Sequence, residues 1–216
     1  GGGLAIPSPF GTFHVPNISP DPTYGIGRWS EAEFVTAVLK GTSPDGAHYF
    51  PAFPSASYQH AKVEDVRDLF AYLKALAPVA GKTRDHDVPF PFNIRRTLGG
   101  WKFLFLDGKP FEGDPTKDAA WNRGAYLVTG PGHCAECHSP RNILGGIIAI
   151  QRFAGGPALD GDGFVPNITQ KGLSMSQEQI VKLLETGETP DGDTVGGEMG
   201  KVVANTAKLS PEDRAA

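Results

Sequence analysis

The only two cysteines of this 216-residue chain, Cys134 and Cys137, stand three positions apart, and His138 follows directly. Two thiols at that spacing can each reach one vinyl group of a porphyrin and form thioethers, which brings the next residue's imidazole under the iron as an axial ligand. The chemistry implied is the movement of single electrons. Other uses of the same residues fit less well. Zinc needs two further ligands at finger-like spacing, and adjacent Cys137 and His138 do not easily share one tetrahedral ion. A dithiol redox pair belongs in a βαβ surrounding, which the Gly- and Pro-rich flanks do not offer. A disulfide across two intervening residues is strained and leaves His138 without a role.

A low-spin electron carrier needs a sixth ligand on the opposite haem face, and a Met thioether is the usual choice because it favours Fe(II) and raises the potential. The chain has two methionines. Met175 sits beside a helix start and reads as core. Met199 lies in Gly196-Gly197-Glu198-Met199-Gly200, expected to be a flexible loop that wraps over the haem edge, and is the candidate ligand. Arg141, just after the cysteine motif, pairs with a haem propionate or is a solvated surface residue.

The elements that must hold these residues form an internal repeat. Pro16-Asn17-Ile18-Ser19 recurs as Pro166-Asn167-Ile168-Thr169, and Gly41, Pro44, Asp45 and Gly46 recur at a constant offset as Gly187, Pro190, Asp191 and Gly192. Between these landmarks each copy has a capping-box helix start, Ser30 with Glu33 and Ser176 with Gln179, and a Gly stop. The expected organisation is one copy over 1–77, a linker over 78–118 and a second copy over 119–216. The first copy's last helix carries Val63, Val66, Leu69, Phe70, Leu73 and Leu76 on one face. The second opens with a helix over about 119–128 that leads into the cysteine motif, and it closes on Ser210-Pro211-Glu212-Asp213, a helix start. Matching Gly2-Gly3 to Gly145-Gly146 would place a first cysteine motif just upstream of Gly1, and the helix start at Ser210 leaves little room for its helix, so a haem motif before Gly1 and part of a last helix are expected outside this sequence. The linker's middle, 94–105, reads as an amphipathic helix that braces the two copies or serves as a docking patch. Alternating apolar runs of strand length are missing, so strand content should be low and the fold mostly α.

A hydrophobic fraction of 39% suits a packed core, while 28 Gly and 19 Pro imply long loops. The net charge of −4 without a Lys/Arg cluster argues against nucleic acid as a partner. No apolar run approaches the roughly 18–20 residues of a membrane-spanning helix.

The motif Cys134-Ala135-Glu136-Cys137-His138, the turns at Asn17 and Asn167, Pro44-Asp45-Gly46 and Asn122-Arg123-Gly124-Ala125-Tyr126-Leu127-Val128 resemble the class I cytochromes c. More closely they resemble the dihaem cytochromes that accept electrons in periplasmic dehydrogenases. The resemblance implies tandem cytochrome c-like folds and covalent haem c, with a second haem in the first copy. It also implies export to the periplasm, and partnership with a dehydrogenase subunit and a terminal respiratory acceptor rather than catalysis of its own. It points to Gly156-Pro157-Ala158-Leu159 as a haem-contacting segment, with the Pro157 carbonyl accepting the proximal imidazole's Nδ1 proton, and to Asn167 as a further contact. The first copy departs from the pattern: Phe53 stands opposite Met199, and Tyr58-Gln59-His60-Ala61 offers no methionine. His60 is the candidate ligand for a first haem, with His48 behind it. An alternative is a dihaem, peroxidase-like enzyme with one open iron, and a third possibility is a purely structural first copy.

Overall fold

The computed structural model describes residues 2–158 and 163–216, and Leu159 lies outside the described residues. Short helices dominate, joined by long loops. A hairpin of β1 (Ala5–Ser8) and β2 (Gly11–His14) opens the chain, in register from Ala5↔His14 to Ser8↔Gly11. This hairpin is longer than the sequence suggested. Its tight connection at Pro9-Phe10 ends on Gly11, whose φ of 122° other residues rarely adopt.

α1 (Glu31–Lys40) begins at the Ser30–Glu33 capping box and ends where Gly41 turns left-handed at φ 55°. A four-residue turn, α2 (Ser55–Tyr58), leads to α3 (Val63–Ala75). Phe34 of α1 meets Phe70 of α3 with ring centroids 4.9 Å apart, and Ile26, Ala61 and Val66 complete a buried cluster. Burial of each large member contributes about 1.5–3 kcal/mol. The apolar face of α3 is wider than what is covered, for Val63, Leu69 and Leu76 stand exposed.

The linker carries α4 (Thr97–Phe105), whose Leu98 packs with Phe13 and Phe50. Lys102 of α4 donates to the carbonyls of Lys40 and Gly41, both at 2.6 Å, and so satisfies the exposed end of α1. The same ammonium lies 2.8 Å from the Thr42 hydroxyl and 2.9 Å from His48 Nδ1, so its three N–H groups are shared among four acceptors. His48 is therefore engaged with the linker.

α5 (Ala119–Thr129) starts at Asp118, which accepts the Trp121 N–H at 2.8 Å. α6 (Ala135–His138) and the two-residue strands β3 (Gly156–Pro157) and β4 (Phe164–Val165) follow. α7 (Gln177–Thr186) repeats the capping box at Ser176–Gln179 and the left-handed stop at Gly187. α8 (Gly197–Thr206) and α9 (Pro211–Ala215) close the chain, α9 with Ser210 as N-cap and proline in its first turn.

The repeat is visible in local geometry. The bridge Thr42↔His48 has its counterpart in Glu188↔Thr194. The bond from Ser43 N–H to Ala47 carbonyl recurs from Thr189 to Asp193. The matching of Gly2-Gly3 to Gly145-Gly146 is corrected: Gly2 shares its surroundings with Gly155. Both have positive φ, 80° and 75°, and at both a Cβ would press on a Pro–Asn peptide, Pro16–Asn17 at 2.9 Å and Pro166–Asn167 at 2.8 Å. The loop between these landmarks is longer in the first copy, which is why the sequence match slipped.

Candidate haem-binding site

The α5 helix delivers the cysteine motif. Its end unwinds through Gly130 and Gly132, with Gly132 N–H on the Leu127 carbonyl and Cys134 N–H on that of Val128. His133 takes φ 39°, an uncommon conformation for a non-glycine residue, and turns the chain into α6. Cys134 caps α6, and Ala135 behind it has no exposed surface, so only a small side chain fits there. Both cysteines are free thiols. Burial pushes both above the ordinary range for a thiol, so neither is poised as the thiolate of a dithiol redox pair. Among the described residues no three His, Cys, Asp or Glu side chains converge to hold a metal ion.

His138 is fixed in one tautomer. Its Nδ1 lies 2.8 Å from the Pro166 carbonyl oxygen, which can only accept, so Nδ1 carries the proton and Nε2 keeps a free lone pair. This corrects the assignment to Pro157. That residue pairs with Phe164 in the β3–β4 ladder and is exposed, while the peptide after β4 swings Pro166 under the imidazole. Two devices hold Pro166 there. Gly155 lets the neighbouring strand approach closely, and its N–H donates to the His138 carbonyl at 2.8 Å. Asn167 accepts from the Thr169 N–H and hydroxyl, closing the turn.

Arg141 is neither solvated nor free. Its guanidinium pairs with Glu136 at 2.6 Å and donates to the Glu136 and Gly145 carbonyls. Its Nε is buried and finds no partner among the described residues. An unsatisfied buried donor costs about 1–3 kcal/mol, and a carboxylate such as a haem propionate is an acceptor suited to it.

Met199 sits in the first turn of α8, not in a flexible loop, because Gly196 serves as N-cap and Glu198 favours the helix start. α8 lies close enough to the motif for the Glu198 charge to reach Cys137, whose thiol is raised first by burial. Met175 is half-buried. His60 is placed at the junction of the copies, its Nδ1 2.8 Å from the Lys109 carbonyl. Phe53 stacks between Tyr49 and Tyr58.

A macrocycle also fits the packing. Among the described residues the buried apolar clusters draw on the first copy and the linker, whereas α7 buries no residue even though Ile180, Leu183 and Leu184 share one face. Around the motif Ile143 is 93% exposed, Ile150 94% and Phe164 70%. Such apolar surface is what a bound porphyrin would cover.

The residue that the sequence reading missed is Glu136, the second variable position of the motif. It is 7% exposed and accepts a 2.8 Å bond from the hydroxyl of Ser57, in the first copy.

Two free thiols beside a tautomer-locked imidazole are the groups that covalent attachment and ligation of a haem require. No family model matches the sequence. It is 49% identical over 218 residues to a protein of Cereibacter sphaeroides named diheme cytochrome c-type, with 100% of this chain and 72% of that protein covered. It is 37% identical to the fructose dehydrogenase cytochrome subunit of Gluconobacter japonicus, covering 98% of this chain and 44% of that one. The cytochrome c subunit of the quinone-dependent alcohol dehydrogenase of Gluconacetobacter polyoxogenes is 38% identical over 98% of this chain, which spans 47% of that longer protein. The chain belongs to the dihaem c-type cytochromes, with relatives among the cytochrome subunits of dehydrogenases.

Proposed function

We propose that the chain relays single electrons through covalent haem c, from the catalytic subunit of a dehydrogenase to a respiratory acceptor on the periplasmic side. The observation that carries this reading is the His138–Pro166 bond, which leaves Nε2 as the free ligand atom next to two unpaired thiols. When bound, haem c supplies a one-electron Fe(III)/Fe(II) couple. Cys134 and Cys137 anchor it and His138 ligates it. The Pro166 carbonyl raises the basicity of the imidazole and so favours the ferric state. Met199, in the first turn of α8, would supply the second axial ligand, and the buried Nε of Arg141 would offer a donor to a propionate. Glu136 keeps the Arg141 charge compensated meanwhile.

The first copy retains the frame for a second haem. Gly2, Pro16 and Asn17 reproduce Gly155, Pro166 and Asn167, and Pro16 lines a cleft with His14, Phe50, His86 and Arg95. With no methionine in that copy, its iron is left to His60 or to an open position. Among the described residues no helix is long and apolar enough to cross a membrane. Intact-mass counting of covalent haems, with the Cys134→Ala/Cys137→Ala variant as control, tests the reading. Loss of one haem in the variant and a low-spin reduced spectrum from the wild type support it. A mass free of haem refutes it, and peroxide turnover from a high-spin iron would favour the enzyme alternative.

A further inference from the structure

Thioether formation and iron ligation use Cys134, Cys137 and His138, and neither needs Glu136. Its neighbour Ala135 shows that a small apolar residue packs well at this depth. A buried carboxylate costs several kcal/mol unless partners compensate it. Here both oxygens are engaged, one by Ser57 and one by Arg141. Ser57 has no exposed surface and belongs to α2, on the segment that faces the second copy. The haem motif itself is thus the platform on which the first copy is seated.

What that seating aligns is a row of rings. Tyr49 meets Phe53 at 5.3 Å, Phe53 meets Tyr58 at 5.3 Å, and Tyr58 meets His133 at 5.6 Å, each edge to face. Phe53 stands at the position in the first copy that Met199 holds in the second, and His133 is bonded directly to Cys134. Tyr58 follows Ser57 in the chain, so the Glu136–Ser57 bond fixes the one contact of the row that crosses between copies. Electron tunnelling weakens steeply across gaps and tolerates packed atoms, so a continuous row excludes the gap that matters.

We propose that Glu136 is a positioning residue that clamps α2 onto the haem motif and so aligns the Tyr49–Phe53–Tyr58–His133 row as the route for electrons between the two halves. The inference rests on the reading that the first copy also holds a haem. Each transfer takes one electron from Fe(II) in one half and delivers it to Fe(III) in the other, with no bond made or broken and no proton moved.

The test uses the full-length natural protein and its Ser57→Ala, Glu136→Gln, Tyr58→Leu and Tyr58→Phe variants. Four readouts are followed: covalent haem count by mass, the midpoint potential of each haem, hydrogen exchange of α2 amides, and the rate of electron equilibration between haems after flash reduction. Ser57→Ala and Glu136→Gln should retain two haems, lose protection in α2 and slow equilibration by about tenfold or more. Tyr58→Leu should slow it similarly, and Tyr58→Phe, which keeps the ring, should match the wild type. Unchanged α2 exchange in Ser57→Ala and Glu136→Gln would overturn the clamp. Unchanged equilibration in Tyr58→Leu would overturn the route. Two haems with either of these results sink the inference alone, whereas a single covalent haem in the wild type sinks the two-haem reading and the inference with it.

Discussion

Replacing Tyr126 by Phe isolates one hydroxyl that ties the second copy to the first. Tyr126 lies on α5, is 1% exposed, and keeps its ring contacts with Phe111, Lys62 and Arg123 in the variant. The hydroxyl donates to the Asp65 carboxylate and accepts the Lys62 N–H at 3.1 Å, both at the start of α3. A bond to a charged group contributes about 1.5–3 kcal/mol and a neutral one about 0.5–1.5 kcal/mol, partly offset because Asp65 can regain water. A net loss of roughly 2–3 kcal/mol follows, which in a protein of this size lowers Tm by about 5–10 °C. The same hydroxyl gives a pH signature. Burial, followed by the Asp65 bond, pushes Tyr126 up to about 12, and burial does the same for Tyr49. For groups raised in the folded state, the stabilisation is fully present below the ordinary tyrosine value near 10 and is lost as pH rises through about 12. Tyr126→Phe should therefore be less stable at neutral pH and show a shallower alkaline loss, with Tyr49 and Tyr58, both raised by burial, contributing to what remains. Calorimetric melts of the haem-loaded protein at pH 7 and across pH 9–11, with Asp65→Asn and the double variant, decide it. A Tm change below about 2 °C, or full additivity of the two substitutions, would refute the argument, since groups sharing a bond must couple.

Gly155→Ala puts a methyl 2.5 Å from the Val165 carbonyl and 2.8 Å from the Asn167 nitrogen at a φ of 75°. It should cost roughly 1–3 kcal/mol and loosen Pro166 from His138, raising the midpoint potential in a redox titration. With Met199 as sixth ligand, Met199→Ala should open that position, so that carbon monoxide binds the reduced haem of the variant and shifts its spectrum but leaves the wild-type haem of the second copy unchanged. Arg123 forms a two-bond pair with Asp213 that holds the carboxyl below its usual range. Its stabilisation is present above the ordinary Asp value and is lost as pH falls, so Asp213→Asn should cost at most about 1 kcal/mol at pH 7 in thermal melts and nothing in strong acid.

Much of this site is local in sequence and was legible there. The Cys134–His138 motif, the capping boxes at Ser30 and Ser176 and the glycine stops at Gly41 and Gly187 each depend on residues within one or two turns. What the sequence concealed depends on backbone groups or on distant partners. The acceptor for His138 is a carbonyl, which every residue owns, and its choice between Pro157 and Pro166 was decided by the β3–β4 pairing. Glu136 reads as a filler between two cysteines until Ser57 arrives from the other copy. Three glycines around Met199 make a loop the natural expectation, yet Gly196 is a permissible cap, and Glu198, Lys201 and Ala204 favour a helix despite Gly197 and Gly200. The Gly2–Gly155 correspondence was hidden by unequal loops and emerged from the shared Pro–Asn contact.

The uneven burial of the two halves also sets an order of assembly. The first half has a ring-on-ring core of its own in Phe34 and Phe70, whereas α7 contributes no fully buried residue. Its side chains can gain little by collapsing early, so the second half must remain open while the thioethers are made. The porphyrin then acts as the last piece of its interior, and a chain that misses it should be cut by proteases after α5 while the first half survives.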